Sequence, residues 1–327
     1  AVDAMAAAAQ GAWMYGDPEV LELRRAVAAH HGVPPETVIV GEGIDGLLGY
    51  LVRLLVAPGD AVVTSDGAYP TFNYHVAGFG GTLHKVPYAG DAEDPEALLA
   101  RARAVDARLV YFANPDNPMG SWHDAATVQA MIGALPEGTV LALDEAYADT
   151  APEGAIPPID ATHPRVIRLR TFSKAYGLAG LRVGYGLAEA GFVAAFNRIR
   201  NHFGVGRVAQ AGAMAALADQ QHLHATVARI AEARARIAEI ARANGLTPLP
   251  SATNFVAVDC GRDGDFARAV LAALVARGIF VRMPFTPPQD RCIRVSAGTP
   301  RDLDALADAL PHALRAAAEE TRGADAV

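Results

Sequence analysis

The sequence predicts an α/β protein: a large unit built on a mostly parallel sheet with helices on both faces, then a smaller α+β unit. Two observations carry this. Between residues 38 and 187, short apolar runs alternate with helix-spaced stretches, and the runs are apolar throughout, as strands buried on both faces are. After a long helical stretch over 222–243, closed by Asn244-Gly245, the order changes to strand, helix, two strands, helix. A length of 327 residues, with 51% hydrophobic and 20% charged side chains, suits one large globular core and a smaller second one.

The elements follow in order. Residues 18–31 place Val20, Leu21, Leu23, Ala26 and Val27 at helical spacing, and Gly32 stops the run. A short β-branched strand over 38–40 ends in Gly41. The helix over 45–55 carries Leu47, Leu48, Leu51, Leu54 and Leu55, and Pro58-Gly59-Asp60 turns the chain behind it. Strands over 61–64, 82–86, 109–112, 139–143, 166–169 and 183–187 are interleaved with helices over 73–79, 95–105 and 127–132. In the second unit, strands are expected over 254–259, 279–282 and 292–296, and helices over 266–277 and 301–319. A frayed tail over 321–327 closes the chain. The expected division is an N-terminal segment, 1–34, packing with the small unit, a large unit over 35–235 and a small one over 236–327.

Charge and composition narrow the function. The net charge of −8, with no basic stretch, speaks against a general nucleic-acid binder. Cys260 and Cys292 are too few and too far apart for a disulfide framework or a CxxC metal site. They read as small buried residues in a reducing, cytoplasmic setting. No metal site is expected. Gly, Pro, Arg or Asp breaks every apolar stretch before membrane-spanning length, and the alanine-rich 1–10 segment lacks the basic front of a signal peptide.

Four clusters carry chemistry. In Thr171-Phe172-Ser173-Lys174-Ala175-Tyr176-Gly177, a lysine follows a strand and two hydroxyl residues, with Arg182 eight residues on. Such a lysine suits a Schiff base beside a phosphate, although a solvated loop lysine is the commoner use. In Leu143-Asp144-Glu145-Ala146-Tyr147, an apolar strand delivers an aspartate to its C-terminal end. There it could keep a pyridine ring protonated, cap a helix or hold magnesium, though no Walker loop precedes it. Asn114-Pro115-Asp116-Asn117-Pro118-Met119-Gly120 forms a rigid extended loop after the 109–112 strand. Gly41-Glu42-Gly43-Ile44-Asp45-Gly46 links strand to helix with glycines that allow a phosphate to approach free amides.

In this order and spacing, the SKAYGLAGLRVGY stretch, the NPDNPMG loop and DEAY resemble the fold-type-I pyridoxal-phosphate aminotransferases, most closely the histidinol-phosphate branch. The similarity runs over about 15–314. It implies an aspartate-aminotransferase-like fold and pyridoxal 5'-phosphate as cofactor, held by Lys174 as a Schiff base. It further implies Asp144 at the ring nitrogen, Asn117 and Tyr147 at the ring hydroxyl, and Tyr69 stacked on the ring. The phosphate would meet the backbone at Ile44 and Asp45, together with Thr171, Ser173 and Arg182. Tyr15 would reach the neighbouring subunit's phosphate, so a homodimer with shared sites is expected. Arg294 would fork onto a substrate carboxylate, and Arg282 would lie near a substrate phosphate or else face solvent. The partners are then a small amino donor and a 2-oxo acid such as 2-oxoglutarate, with no nucleic acid and no membrane. Ile44 and Gly46 depart from the family's small and acidic residues, and the arm that usually precedes the Tyr15 region is missing from this chain. Donors from aromatic or specialised metabolism, a related decarboxylase, a non-catalytic ligand-sensing module and an inactive scaffold are the competing readings.

Overall fold

The computed structural model describes residues 1–324. The chain opens with α1 (Val2–Ala9) and α2 (Leu21–His31), then β1 (Val38–Gly41), α3 (Gly43–Leu55), β2 (Ala61–Ser65), α4 (Pro70–Gly78) and β3 (Thr82–Val86). It continues with α5 (Pro95–Ala104), β4 (Leu109–Ala113), α6 (Ala125–Gly133), β5 (Val140–Asp144), β6 (Val166–Thr171) and β7 (Gly184–Leu187). Helices α7 (Ala190–Asn197), α8 (Arg207–Ala218) and α9 (Gln220–Ala243) lead to β8 (Thr247–Pro248), β9 (Phe255–Asp259), α10 (Gly264–Val275), β10 (Cys292–Ser296) and α11 (Pro300–Ala324).

Seven strands form one sheet in the order β1-β7-β6-β5-β4-β2-β3. Strands β3, β2, β4, β5 and β6 pair in parallel, while β7 runs antiparallel to both β6 and β1. The sheet is buried on both faces because consecutive residues of its strands feed different cores. In β4, Leu109, Tyr111 and Ala113 pack with Leu47, Leu51, Phe72 and Val76 of α3 and α4. Val110 and Phe112 pack on the other side with Leu98, Ala102, Val128 and Met131 of α5 and α6. A side chain taken wholly out of water in this way is stabilised by roughly 1.5–3 kcal/mol, which holds the strand ends in place as a scaffold for loops.

The C-terminal residues build a separate core. Antiparallel strands β10-β9-β8 lie against α9, α10 and α11, with Ile237, Ile240, Val258, Phe266, Val270, Ile293, Leu306 and Leu310 buried together.

Three expectations need correction. Residues 279–282 form no strand: Arg282 makes a single antiparallel bridge to Arg294, Phe280 stands in solvent, and Pro284, Pro287 and Pro288 offer no ladder donors. The N-terminal segment packs chiefly on the large sheet's side rather than on the C-terminal unit. Helices α1 and α2 lie on α8, and Val20, Leu23 and Val27 share a core with Val38, Phe172 and Tyr185. The tail expected to fray is helical to Ala324, while residues 325–327 lie outside the described residues. Helices α1, α7 and α8 are not legible in the sequence pattern, because their many alanines and glycines blur helical periodicity.

Candidate active site

The site lies where the parallel strands end. The register aligns Ala113 of β4 with Asp144 of β5, and Asp144 with Leu169 of β6, so the loops after β4, β5 and β6 leave the sheet side by side. Because β7 is antiparallel, its first residues lie at that same edge, and Gly184 pairs with Thr171. Arg182, two residues earlier, is brought there in a left-handed conformation with φ 54°. Strand β1 parallels β6 and hands the chain to the start of α3.

One cleft is lined by Ile44, Asp45, Tyr69, Asn117, Asp144 and Tyr147. Thr171, Ser173, Lys174 and Arg182 complete the predicted part of that lining, joined by Tyr111, Ala113, Pro115 and Ala146. A second cleft shares Tyr69, Asn117, Tyr147 and Lys174 with it and adds Lys85, Arg282 and Arg294. Tyr15 is the exception. It lines neither cleft, is 80% exposed, and its ring lies 4.8 Å from that of Phe203.

Asp144 is buried, and one oxygen accepts the Tyr111 hydroxyl at 2.7 Å while the other accepts the Ala146 N–H at 2.9 Å. Burial raises its carboxyl above the ordinary range, opposed by those two donors and by the charge of Lys174. Lys174 is shifted the other way. Its removal from water lowers its ammonium below the ordinary range, helped by Arg294 and Arg182 and opposed by Asp144 and Tyr69. Its Nζ lies 5.1 Å from the centre of the Tyr147 ring. Burial also pushes the Tyr147 phenol upward, so it stays a neutral donor.

A small anion has a cradle at the start of α3. No side chain caps that helix, so its first-turn amides are free, and Arg182 stands beside them. Gly43 makes this approach possible. It has φ 76°, and a Cβ there would sit 2.6 Å from the Arg182 Nη2. Arg182 also donates to the Ala179 carbonyl at 3.1 Å and, at 3.4 Å, to Ser173, whose own N–H donates to the Thr171 hydroxyl at 3.0 Å. The Ile44 side chain turns into the core with Leu47 and Leu48, leaving only its backbone for a ligand.

Arg282 and Arg294 exchange backbone bonds of 3.1 and 2.7 Å, which places their side chains at one end of the second cleft. Arg294 reaches across from β10 to donate to the Asn117 side-chain oxygen and lies 4.6 Å over the Phe255 ring. Among the described residues the buried Arg294 Nε has no hydrogen-bond partner.

The comparisons with known proteins agree with this geometry. The model of the aminotransferase class I and II family matches residues 1–310. The chain belongs to this family. The aminotransferase is 37% identical to histidinol-phosphate aminotransferase 2 of Ralstonia nicotianae, over 95% of this chain and 84% of the relative. It is 36% identical to the histidinol-phosphate aminotransferase of Anaeromyxobacter sp., over 93% and 84%. It is also similar to a crystal structure of histidinol-phosphate aminotransferase from Sinorhizobium meliloti in complex with pyridoxal-5'-phosphate. There the identity is 56% and the TM-score 0.94, over 96% of this chain and 86% of that one. An aspartate aminotransferase variant from Thermus thermophilus, 24% identical with a TM-score of 0.80 over 95% and 92%, shares the fold. The chain is thus a fold-type-I, pyridoxal-phosphate-dependent transaminase of the histidinol-phosphate branch.

Sequence reasoning missed Tyr111, the partner of Asp144. A tyrosine inside an apolar strand was its one signal, since a buried phenol needs an acceptor. It also passed over Glu145, which accepts from Arg168 at 2.5 Å and Arg170 at 2.9 Å beneath the site.

Proposed function

We propose that this transaminase takes its amino group from histidinol phosphate and passes it to a 2-oxo acid such as 2-oxoglutarate, with Lys174 as the residue that holds the cofactor. The donor set fits pyridoxal phosphate: free amides with Arg182 for the phosphate, a buried carboxylate for the ring nitrogen, and a lysine with a lowered pKa for the aldehyde. When bound, the cofactor supplies a carbonyl that captures amines and a ring that accepts an electron pair.

This chain's residues do the rest. The Lys174 amine, whose ammonium burial destabilises, would hold the cofactor through its carbonyl carbon, yield that carbon to the donor's amino group, and then carry the proton from the donor's α-carbon to the cofactor carbon. Asp144, whose two oxygens accept from Tyr111 and the Ala146 N–H, would stabilise a protonated ring nitrogen. Asn117 and Tyr147 hydrogen-bond the ring hydroxyl, and Tyr69 stacks on the ring and keeps water from one face. Ile44 and Asp45 through their amides, with Thr171, Ser173 and Arg182, fix the phosphate. Tyr15, exposed in its own chain, serves the neighbouring subunit's phosphate in a homodimer with shared sites. Arg294 forks onto the acceptor's carboxylate, and Arg282 beside it takes the donor's phosphate. We assign the cofactor to a unit over 35–235 and the two substrate arginines to one over 236–327. The two free, buried cysteines suit a cytoplasmic protein.

The observation that carries this reading is Lys174 set among Asp144, Tyr69, Tyr147 and Arg182 in one cleft, with Arg294 in the second cleft that Lys174 also lines. The test is the absorbance of the loaded protein mixed with a panel of amino donors, with Lys174→Ala as control. Histidinol phosphate discharging the cofactor band at lower concentration than any amino acid is the expected result. A band discharged by aromatic donors alone would remove the histidinol-phosphate assignment, and a band unaffected by Lys174→Ala would remove Lys174.

A further inference from the structure

Behind the 114–120 loop lies a pair of carboxyl groups that the reaction described above does not use. Glu93, between β3 and α5, and Asp116, in the loop itself, are each 1% exposed. Their side chains are within hydrogen-bond reach of each other. Two ionised carboxylates cannot share such a place, because their repulsion is nearly unscreened and neither has water around it.

The donors around each show where the proton sits. Asp116 accepts the Tyr88 hydroxyl at 2.9 Å and the Met119 N–H at 3.1 Å, and it also faces the Asn117 N–H. Glu93 accepts the Ser65 hydroxyl at 2.6 Å and the Ala113 N–H at 3.1 Å. Asp116 is therefore the better-solvated anion and Glu93 the acid. Burial first, and the Asp116 charge second, push the Glu93 carboxyl well above the usual range. Burial raises Asp116 too, against the pull of its donors.

Both residues are tied to the site. Glu93 spans the ends of β2 and β4 through Ser65 and Ala113, and its carbonyl pairs with the His123 ring at 2.8 Å. Asp116 closes the turn at Met119 and immediately precedes Asn117. We propose that Glu93 and Asp116 hold one proton between them and act as positioning residues, fixing the 114–120 loop so that Asn117 faces the cleft. This rests on the reading of Asn117 as a cofactor contact. The other titratable or charged groups facing the pair are Tyr88, Tyr111, His123, Tyr147 and Arg294. Burial keeps the Tyr88 and Tyr111 phenols neutral, so neither supplies the proton's charge balance.

Three measurements on the full chain test it. The first is cofactor affinity, by titration of the cofactor-free protein. Glu93→Ala, which removes the acid, weakens binding by about tenfold or more, and Glu93→Gln, which keeps a donor towards Asp116, restores it to within about threefold. Equal losses in the two variants would overturn the proposal. The second is urea unfolding against pH. An acid whose folded pKa lies above its unfolded value gives stability that is full below the unfolded value and lost as pH rises towards the folded one. Relative to Glu93→Gln, the wild-type unfolding constant then rises about tenfold per pH unit across that range. Identical pH slopes would mean no shared proton. The third is the infrared spectrum of the loaded wild type at about pH 8, where a protonated buried carboxyl gives a carbonyl stretch above that of a carboxylate. No such band would refute the pair even if both variants fail to fold. Asn117→Ala separates the two ideas: unchanged cofactor affinity in that variant removes the Asn117 contact, while the pH slopes still decide the proton.

Discussion

Replacing Tyr111 by Phe isolates what the protein does for Asp144. The phenol is wholly buried and its ring stacks on Phe72 at 4.8 Å, so the substitution keeps the packing and deletes one hydroxyl. That hydroxyl donates at 2.7 Å to a buried carboxylate whose other oxygen has the Ala146 N–H. A hydrogen bond to a charged group contributes about 1.5–3 kcal/mol. Much of it falls on the ionised form alone, so its loss pushes the Asp144 carboxyl further up from an already raised position. The sign follows from the chemistry: the carboxylate becomes harder to ionise, so it pairs less well with a protonated ring nitrogen. Cofactor binding should weaken by about tenfold or more, and the acid limb of kcat should move to higher pH. The assay is a cofactor titration of the cofactor-free variant with a pH profile of the loaded one. Unchanged affinity together with an unmoved acid limb would show that Tyr111 does not support Asp144.

Two further changes probe the scaffold around the site. Glu145→Gln leaves the Arg168 and Arg170 guanidiniums buried against a neutral amide. It should cost about 3–5 kcal/mol, nearer the lower figure because Arg168 also donates to the Pro157 and Pro158 carbonyls; urea unfolding checks this, and a loss below about 1 kcal/mol would contradict it. Gly43→Ala meets both a φ of 76° and the Arg182 guanidinium. A stability loss of about 1–2 kcal/mol should come with weaker cofactor phosphate binding, and a phosphate-competition titration that matches wild type would rule out the cradle.

The sequence made the two-sided sheet legible because a strand such as 109–113 is apolar at every position, which only burial on both faces explains. It made the site legible because its polar residues follow strand ends in short, characteristic runs. Ten of the positions so read, from Ile44 to Arg182, line one cleft. Strand direction was not legible. The run Gly184–Leu187 looks like its neighbours, yet it is antiparallel, and that reversal is what returns Arg182 to the cofactor edge. Nor did local pattern tell a strand from a single bridge over 279–282, since β-branched and aromatic residues suit either and the deciding contact, Arg294, lies twelve residues on.

What stayed hidden has a common physical cause. Tyr111, Glu93 and Glu145 act by pairing with residues remote in sequence, and a buried polar group reveals its purpose only through its partner. Lys174, Asp144 and Asn117 were visible because their task requires a fixed spacing from a strand end. Their supports obey no such rule, and any element that passes behind the site can provide them. The site is therefore two layers with different sequence signatures. The inner layer touches the ligand and is written as motif. The outer one sets the charge and direction of the inner, through Tyr111 on Asp144 and through the Glu93 and Asp116 carboxyls behind Asn117, and it emerges only when the sheet register aligns β2, β4 and β5.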